Sequence, residues 1–344
     1  MIISRTPYRI SFFGGGTDYP NWFRDHGGSV LSTTINKYCY ISCRKLPNFF
    51  EKKHRFVYSK IETVNHWNEI EHPSIRAVLK YLNIQDGLEI HHDGDMPARS
   101  GIGSSSAFTV GLINALYALE GKIISKQDLA TLAVHIEQNV IGETVGSQDQ
   151  FAAAFGGLNR IDFRKDNSVD VTPIVAQPNR IDGLNSRFLL FFTGFSRIAE
   201  TVAKSKVEGI QEKAGLLNTL HSFVDDGISI LQSRSSSLDE FGRLLHESWK
   251  IKRELSTKVS NSQIDEIYQA GIDSGAIGGK LIGAGGGGFI LFYVPHEAQS
   301  SVRDKLKNFL EVGFQFENRG SQIVLYNPLI SHSSKEPLKS EAII

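Results

Sequence analysis

The segment from Pro97 to Ala107 carries the residues best suited to bind phosphate. It reads Pro-Ala-Arg-Ser-Gly-Ile-Gly-Ser-Ser-Ser-Ala and stands directly before a long apolar stretch. Glycines allow backbone N–H groups to crowd into a concave loop, and a helix N-terminus adds unpaired N–H groups of its own. One of the serines can also bind Mg²⁺ or cap the helix. The segment predicts a phosphate-binding loop that lacks the Walker A pattern, with a plain glycine–serine loop as the alternative.

Two further glycine runs are accompanied by residues suited to ligand binding. Near the N-terminus, Arg9 lies in a strand-like run that ends in three glycines, followed by Thr17 and Asp18. An arginine in such a strand favours a carboxylate or phosphate partner, and Asp18 can accept sugar hydroxyls. Residues 283–288 read Gly-Ala-Gly-Gly-Gly-Gly between two strand-like runs, which predicts a loop that approaches a ligand or another loop closely. A surface turn and a flexible hairpin tip are the respective alternatives.

Glu137 and Asp149 are two carboxylates that can complete a site for phosphoryl transfer. Glu137 falls on a helix predicted from Ser125 to Ile141, and Asp149 opens a small-residue helix that ends near Phe155. One carboxylate to hold Mg²⁺ and another to orient or accept a hydroxyl proton form the minimum set for this chemistry. A single glutamate on a helix is more often a solvated surface residue. The prediction therefore depends on the joint occurrence of these carboxylates with the glycine loops.

The elements that must position these residues differ between the two halves of the chain. Short β-branched or aromatic runs divided by Gly, Pro and Asn predict a β-rich first third. The stretch Ser104 to Leu119 is apolar nearly all round and predicts a buried helix. In the second half, helices mix with a few mostly antiparallel strands. The expected elements that matter below are strands at Ile2–Arg5, Tyr8–Phe13, Ser29–Ile35, Tyr38–Arg44 and Arg187–Thr193, helices at Ala199–Val207 and Glu297–Phe309, and a last hairpin over Phe314–Tyr326.

A composition shift over Pro173 to Asn185, rich in turn formers, marks the expected domain boundary. We expect an N-terminal domain over residues 1–180 that holds the phosphate loop and the carboxylates. A C-terminal domain over residues 181–330 then holds the late glycine loop. Residues 331–344 are polar and charged without periodicity, which predicts a flexible tail.

Composition excludes several classes of function. The 344 residues contain 37 Lys plus Arg and 37 Asp plus Glu, so the net charge of zero argues against a nucleic-acid binder with a basic face. No apolar run reaches the roughly 18 residues needed to span a bilayer, and the N-terminus lacks a signal-peptide core. Cys39 and Cys43 lie on one predicted strand and read as reduced thiols. We expect a cytoplasmic protein with no membrane or nucleic-acid partner.

The three glycine motifs together resemble those of the GHMP kinase superfamily. Pro-x-Arg-x₄-Gly-x₂-Thr-Asp, Pro-x₃-Gly-Ile-Gly-Ser-Ser-Ser-Ala and Gly-x-Gly-Gly-Gly-Gly occur in the order and spacing of that family, over about residues 1–330. The stretch from Glu137 to Gln150 resembles a galactokinase-type helix and loop. The resemblance implies a two-domain α+β fold, with an α/β domain like ribosomal protein S5 followed by a ferredoxin-like α+β domain. It also implies ATP as co-substrate and Mg²⁺ as cofactor.

The resemblance implies a role for each matching residue. Asp149 would be the catalytic base and Arg9 its basic partner. Ser105 and Glu137 would hold Mg²⁺. The residues implied to contact the ATP phosphates are Gly101, Gly103, Ser104, Ser105, Ser106, Gly285 and Gly286, and those implied to bind the substrate are Gly16, Thr17, Asp18, Arg99 and Gln150.

The first motif narrows the expected substrate. Galactokinases have Gly-Glu-His-Thr-Asp where this chain has Gly14-Gly15-Gly16-Thr17-Asp18, which leaves room for a larger sugar. This variant is most similar to the heptose 7-phosphate 1-kinases, which act on the way to a GDP-activated heptose for surface polysaccharide. A 7-phosphate needs a basic receptor, for which the candidates are Arg99, Lys37, Arg44 and Arg76. The alternatives are an anomeric kinase for galactose, fucose or a uronic acid, and more remotely a sugar-sensing pseudokinase or a decarboxylase.

Overall fold

The computed structural model describes residues 1–47, 49–194 and 212–328, which form two sheets with helices packed against them. The first sheet has nine strands, which are β1 (Ile2–Phe13), β2 (Gly28–Lys45), β3 (His54–Val57), β4 (Ile61–Val64), β5 (Leu88–Gly94), β6 (Leu158–Phe163), β7 (Val169–Pro173), β12 (Phe316–Glu317) and β13 (Gln322–Tyr326). Its central order is β13-β1-β2-β5-β3-β4, β6 and β12 pair with β2, and β7 pairs with β6. The predicted α+β class is confirmed.

The helices of the first half are short except for the one that follows the phosphate-loop segment. They are α1 (Pro20–His26), α2 (Pro73–Tyr81), α3 (Ser104–Leu119), α4 (Lys126–His135), α5 (Gln148–Phe155) and α6 (Pro178–Asn185), with a 3₁₀ turn at Trp67–Glu69 and a π-helical turn at Ile136–Ile141. α3 has the bounds predicted for it. Gly111 lets α3 approach the sheet closely, because a Cβ there would lie 2.9 Å from Thr6 Oγ1. This close approach brings the middle of α3 against β1.

β1 and β2 are each one long strand where two short strands were expected. Pro7 does not end β1, because it sits at a shift in register where it faces Tyr38 while Tyr8 already faces Ile35. Asn36 and Lys37 are the extra residues of this bulge and do not form a turn. A proline is tolerated at a bulge because its missing N–H breaks no ladder hydrogen bond there.

The second sheet has four antiparallel strands, which are β8 (Phe188–Phe192), β9 (Gly278–Leu281), β10 (Phe289–Tyr293) and β11 (Leu310–Glu311). Their order is β11-β8-β10-β9. The helices of this half are α7 (Ala214–Gln232), α8 (Asp239–Glu254), α9 (Ser262–Asp273) and α10 (Gln299–Lys305), with a 3₁₀ turn at His296–Ala298. The helix expected over Glu297–Phe309 is therefore shorter than predicted. The expected helix Ala199–Val207 and tail 331–344 lie outside the described residues.

The predicted hairpin over Phe314–Tyr326 is wrong. Its two strands do not pair with each other, because Phe316 pairs with Ile35 on β2 and Tyr326 pairs with Ile2 on β1. The chain thus returns from the second sheet to the first. The expected boundary segment also contains α6 and is not a plain linker. We keep a division near residue 180 as a proposal, with residues 316–326 assigned to the first sheet.

Cys39 and Cys43 are both buried and free, as predicted. Across the described parts of the chain, no helix has the length and apolarity needed to cross a membrane.

His72 caps α2 and makes stability depend on pH. Its Nδ1 accepts a hydrogen bond from the Ile75 N–H at 3.4 Å, its ring stacks on Phe108, and burial lowers its pKa to about 4. Since this pKa lies below the unfolded value, the unfolded state binds the proton first as the pH falls. We expect the His72 contribution to stability to fall by about 1.4 kcal/mol per pH unit between about pH 6.5 and about pH 4.

The measurement is urea denaturation of the wild type and of His72→Asn across this pH range. Asparagine keeps a cap acceptor but does not titrate. We expect the free energy of unfolding of the wild type to fall more steeply with acidification. Parallel pH profiles for the two proteins contradict the assignment.

Candidate active site

One cavity between the two sheets collects most of the residues predicted to form the site. Its lining includes eleven of them, namely Arg9, Gly16, Asp18, Arg99, Gly101, Gly103, Ser104, Ser105, Ser106, Glu137 and Asp149. Thr17, Gln150, Gly285 and Gly286 do not line it. Neither do Lys37, Arg44 and Arg76, the other candidates for a distal phosphate receptor. The cavity therefore joins both carboxylates with all three glycine motifs, the third through Gly283 and Ala284, although these segments are far apart in sequence.

The phosphate-loop segment is held in a fixed turn before α3 begins. Gly101 and Gly103 adopt positive φ angles of 85° and 74°, and Arg99 is also left-handed with φ 59°. The Arg99 N–H donates to Ser104 Oγ at 3.1 Å, and the Arg9 N–H on β1 donates to the Ile102 carbonyl at 3.1 Å. The loop is thus tied both to its own helix and to the first sheet.

Glu137 is a buried carboxylate on the π-helical turn, with only 1% of its surface exposed. Its Oε2 accepts hydrogen bonds from Ser106 Oγ at 2.9 Å and from Gln150 Nε2. Burial raises the pKa of Glu137 to about 7. Its Oε1 has no hydrogen-bond partner among the described residues, although it is buried. A buried oxygen of this kind indicates a group that is bound there in the working protein.

The surroundings of this carboxylate bear on two expected roles. Ser105, expected to share a metal ion with Glu137, lines the cavity and is exposed, whereas Ser106 also lines the cavity but is buried and bonded to Glu137. Gln150 was expected to contact the substrate, but it is fully buried, does not line the cavity and donates a hydrogen bond to Glu137. The metal role of Ser105 therefore stays a prediction, and Ser106 and Gln150 are the residues that hold the Glu137 carboxylate.

Arg9 and Asp149 form a bidentate ion pair on the wall of the cavity. Arg9 Nε lies 2.8 Å from Asp149 Oδ1, and Nη2 lies 2.9 Å from Oδ2. Arg9 Nη1 also donates to the Gly101 carbonyl at 2.5 Å, which ties the pair to the phosphate loop. A Cβ on Gly103 would lie 3.3 Å from Asp149 Oδ2. The glycine therefore allows the loop to pass directly beside this carboxylate.

Asp18 is held rigidly next to the same pair. Its Oδ1 accepts from the Gly16 N–H at 2.9 Å and its Oδ2 from Gln148 Nε2 at 3.0 Å. Burial raises the pKa of Asp18, with the nearby charge of Asp149 acting in the same direction. Thr17 does not reach the cavity as expected, because its hydroxyl donates to the Gly14 and Ser29 carbonyls. Thr17 thus closes the turn that presents Asp18.

The late glycine loop packs on the phosphate loop through Gly283 and Gly288. A Cβ on Gly283 would lie 2.4 Å from Gly101 Cα, and one on Gly288 would lie 2.1 Å from the Ser100 carbonyl oxygen. Gly286 instead donates its N–H to the Val259 carbonyl at 2.9 Å, and a Cβ on Gly285 would also strike the Val259 backbone. Gly285 and Gly286 therefore lie against Val259 and do not line the cavity, and Gly283 and Gly288 bring the two loops together.

Sequence reasoning missed several residues that line the cavity. The most prominent are two nearly buried lysines, Lys252 on α8 and Lys280 on β9. Lys252 Nζ donates to the carbonyls of Leu281 and Gly283, and Lys280 Nζ donates to the Phe12 carbonyl. A lysine on an otherwise ordinary helix or strand carries no local signal. Lys252 lies in the charged run Lys250 to Glu254 and Lys280 lies in a short strand-like run, so neither stands out in the sequence. The other missed residues are Ser11, Gly15, Tyr19, Thr144, Val145, Gly146, Gln148, Gly283 and Ala284.

Comparisons with known proteins agree with this geometry. The GHMP kinases N terminal domain family matches residues 70–157, and the GHMP kinases C terminal family matches residues 229–312. The chain is 30% identical over 303 residues to the D-glycero-alpha-D-manno-heptose 7-phosphate kinase of Campylobacter jejuni, covering 85% of this chain and 89% of that one. It is 25% identical over 344 residues to the galactokinase of Pyrococcus furiosus, covering 89% of this chain and 92% of the relative.

A solved structure supports the fold independently. The crystal structure of a D-glycero-D-manno-heptose 1-phosphate kinase from Bacteroides thetaiotaomicron superposes with a TM-score of 0.76 at 24% identity, covering 94% of this chain and 98% of that one. The predicted two-domain fold is thereby confirmed. From its two matching domains and its relatives, the chain belongs to the GHMP kinase family, whose members are phosphotransferases.

Proposed function

We propose that this protein is an ATP-dependent sugar kinase that phosphorylates the anomeric hydroxyl of D-glycero-D-manno-heptose 7-phosphate. The product would be the 1,7-bisphosphate used to make a GDP-activated heptose. The observation that carries the proposal is the Arg9–Asp149 pair, which lies against the phosphate loop inside one cavity. The likeness to the Campylobacter jejuni heptose phosphate kinase supports the choice of sugar.

The triphosphate of ATP would lie over the phosphate loop. Gly101, Gly103 and the serines at the start of α3 line the cavity there, and the helix N-terminus offers unpaired N–H groups. Because Gly103 lies beside Asp149, a hydroxyl held by this carboxylate would face the terminal phosphate. Proximity of this kind is the main contribution that a protein makes to phosphoryl transfer.

Asp149 would act on the sugar hydroxyl while Arg9 holds it in place. The hydroxyl oxygen forms a bond to the γ-phosphorus as the bond from that phosphorus to the bridging oxygen breaks, and the hydroxyl proton passes to Asp149. Arg9 contacts both carboxylate oxygens, so the carboxylate cannot rotate away from the hydroxyl. Asp18, fixed by Gly16 and Gln148, would accept a hydrogen bond from another sugar hydroxyl.

Glu137 fits a magnesium ion together with the hydroxyls of Ser105 and Ser106, which line the same cavity. A carboxylate oxygen and a hydroxyl are ligands that Mg²⁺ prefers, and it usually takes one or two carboxylates together with substrate phosphates. Glu137 Oε1 is buried and lacks a partner among the described residues. The described chain contains no group of three or more His, Cys, Asp or Glu suited to a metal, in keeping with a site completed by phosphates. When bound, Mg²⁺ would neutralise charge on the β- and γ-phosphates.

A substrate panel tests the proposal. ADP release would be measured with Mg·ATP and D-glycero-D-manno-heptose 7-phosphate, mannose 6-phosphate, galactose, fucose or glucuronic acid. We expect the highest kcat/KM with the heptose phosphate. Turnover with an unphosphorylated sugar alone would retain the kinase chemistry and reject the heptose assignment, in favour of the galactose, fucose or uronic acid alternative. Nucleotide binding without turnover of any sugar would contradict the kinase proposal.

A further inference from the structure

The Tyr19 side chain is part of the cavity wall that the proposed chemistry does not use. Tyr19 stands between Asp18 and Pro20, the first residue of α1, and it lines the cavity although it is only 9% exposed. Its hydroxyl has no hydrogen-bond partner among the described residues. A tyrosine this deeply buried usually has a partner for its O–H group. Its place on the cavity allows a bound molecule to be that partner.

The backbone around Tyr19 shows that the side chain does not serve the helix. Tyr19 is the N-cap of α1, with an extended φ of −86° and ψ of 136°, and its carbonyl accepts from the N–H groups of Trp22 and Phe23 at 2.9 and 3.0 Å. Pro20 also restricts the residue before it to extended conformations. Ser, Thr, Asp and Asn stabilise an N-cap, but Tyr19 makes no cap hydrogen bond through its side chain. A local preference that is not followed in this way is expected at a functional site.

The charges around the Tyr19 hydroxyl keep it a hydrogen-bond donor. Burial raises the pKa of Tyr19, the charges of Asp18 and Asp149 act in the same direction, and Arg9 opposes them. The hydroxyl therefore keeps its proton at neutral pH and lies in the field of both carboxylates. A ligand at this corner must donate to a carboxylate and accept from Tyr19. A sugar hydroxyl does both, whereas a phosphate dianion can only accept.

A sugar hydroxyl that donates to Asp18 needs a second partner for its lone pairs. Two donors beside Asp18 are already used by the carboxylate itself, because Oδ1 accepts from the Gly16 N–H at 2.9 Å and Oδ2 from Gln148 Nε2 at 3.0 Å. Tyr19 is the next residue along the chain and carries a hydroxyl that no contact within the described chain takes up. Asp18 and Tyr19 together thus offer one acceptor and one donor on the same wall of the cavity.

We propose that the Tyr19 hydroxyl donates a hydrogen bond to the same sugar hydroxyl that donates to Asp18, and that this pair selects for that hydroxyl. This inference rests on the proposed function, because it names a further residue that recognises the sugar. A sugar without this hydroxyl would leave two buried polar groups unpaired, which is a strong basis for rejecting it. Tyr19 binds away from the transferred phosphoryl group, so it contributes to sugar binding and not to the rate of transfer.

The test is the kinetics of Tyr19→Phe. The change removes one oxygen that has no protein partner and keeps the ring, so urea denaturation should give the same free energy of unfolding as for the wild type. We expect KM for D-glycero-D-manno-heptose 7-phosphate to rise by about ten-fold, because the bound hydroxyl loses its donor. The value of kcat and KM for ATP should change by no more than about two-fold.

Tyr293→Phe is the matched control. Tyr293 on β10 is fully buried and does not line the cavity, and its hydroxyl donates to Asp239 Oδ1 at 3.1 Å. Since this variant removes the same atom but breaks a hydrogen bond within the protein, we expect it to lower the free energy of unfolding and to keep a normal KM for the sugar. Tyr19→Phe should change the KM and leave the stability unchanged.

Deoxy analogues of the sugar identify the hydroxyl that Tyr19 binds. Each analogue lacks one hydroxyl other than the anomeric one. With one of them, KM should be the same for the wild type and for Tyr19→Phe, because the hydrogen bond is absent in both cases. With the other analogues, the ten-fold difference between the two proteins should persist.

The possible outcomes separate the role of Tyr19 from the function. An unchanged KM for the sugar, a fall in kcat, a rise in KM for ATP or a difference that persists with every analogue overturns the role of Tyr19 and leaves the function standing. A wild type that turns over only an unphosphorylated sugar overturns the heptose assignment, and Tyr19→Phe is then compared with the wild type on that sugar and its deoxy analogues. A wild type that turns over no sugar overturns the function and the role of Tyr19 together.

Discussion

Asp149→Asn should lower kcat by about 10²-fold or more, with little change in the affinity for ATP. Asparagine preserves the size of the side chain and one oxygen for Arg9, but it cannot take a proton from the substrate hydroxyl. The Asp149 side chain is 24% exposed towards the cavity whereas Arg9 is 6% exposed, so the carboxylate is the open member of the pair. The measurements are steady-state kinetics with the heptose phosphate and a separate titration of nucleotide binding.

Asp162→Asn is the control for losing an ion pair without losing a base. Arg160 Nε contacts Asp162 Oδ1 and Oδ2 at 2.8 and 2.9 Å, so Asp162 is also an aspartate paired with an arginine through both oxygens, but it lies on β6 outside the cavity. We expect this variant to keep a normal kcat. Near-normal turnover of Asp149→Asn, or an equal loss in both variants, would remove Asp149 from the role of base.

The sequence was sufficient to identify the segments of the site but not which residue of each segment makes which contact. Ser105 and Ser106 are both polar and adjacent, and one helical step of about 100° decides that Ser106 meets Glu137 while Ser105 is exposed. The choice depends on how α3 is rotated against the sheet. In the same way, Gly283 and Gly288 pack on the phosphate loop, whereas Gly285 and Gly286, which were expected to contact the ATP phosphates, lie against Val259.

Local sequence patterns predicted the bounds of single elements better than they predicted which strands pair across long separations in sequence. The bounds of α3 and the start of α4 next to Ser125 were predicted from neighbouring residues, and both are present. β12 and β13 were assigned to a hairpin because they are close in sequence, but their partners on β2 and β1 lie about 280 to 320 residues away. Lys280 was missed for a related reason, since its site is formed only when β9 meets Phe12 on β1.

Gly101→Ala should impair both stability and ATP use, because the two glycine loops touch backbone to backbone. An alanine Cβ at position 101 would lie 2.4 Å from the Ile282 carbonyl oxygen, in a residue with φ 85°. Relieving this overlap must push the late loop away from the phosphate loop. A displacement of about 1 Å can cost 10²-fold in rate, so we expect kcat/KM for ATP to fall by about 10²-fold.

Gly121→Ala separates this contact from the general cost of a left-handed backbone. Gly121 has φ 68°, but a Cβ there would meet nothing within 4 Å. Both variants carry the left-handed cost of about 1–2 kcal/mol, and only Gly101→Ala adds an overlap worth about 1–3 kcal/mol. Denaturant titration should therefore show a larger loss of stability for Gly101→Ala, and ATP kinetics should be normal for Gly121→Ala. Equal losses of stability in the two variants would mean that the packing of the two loops does not depend on this contact. Gly101 would then be needed only because its φ angle is positive.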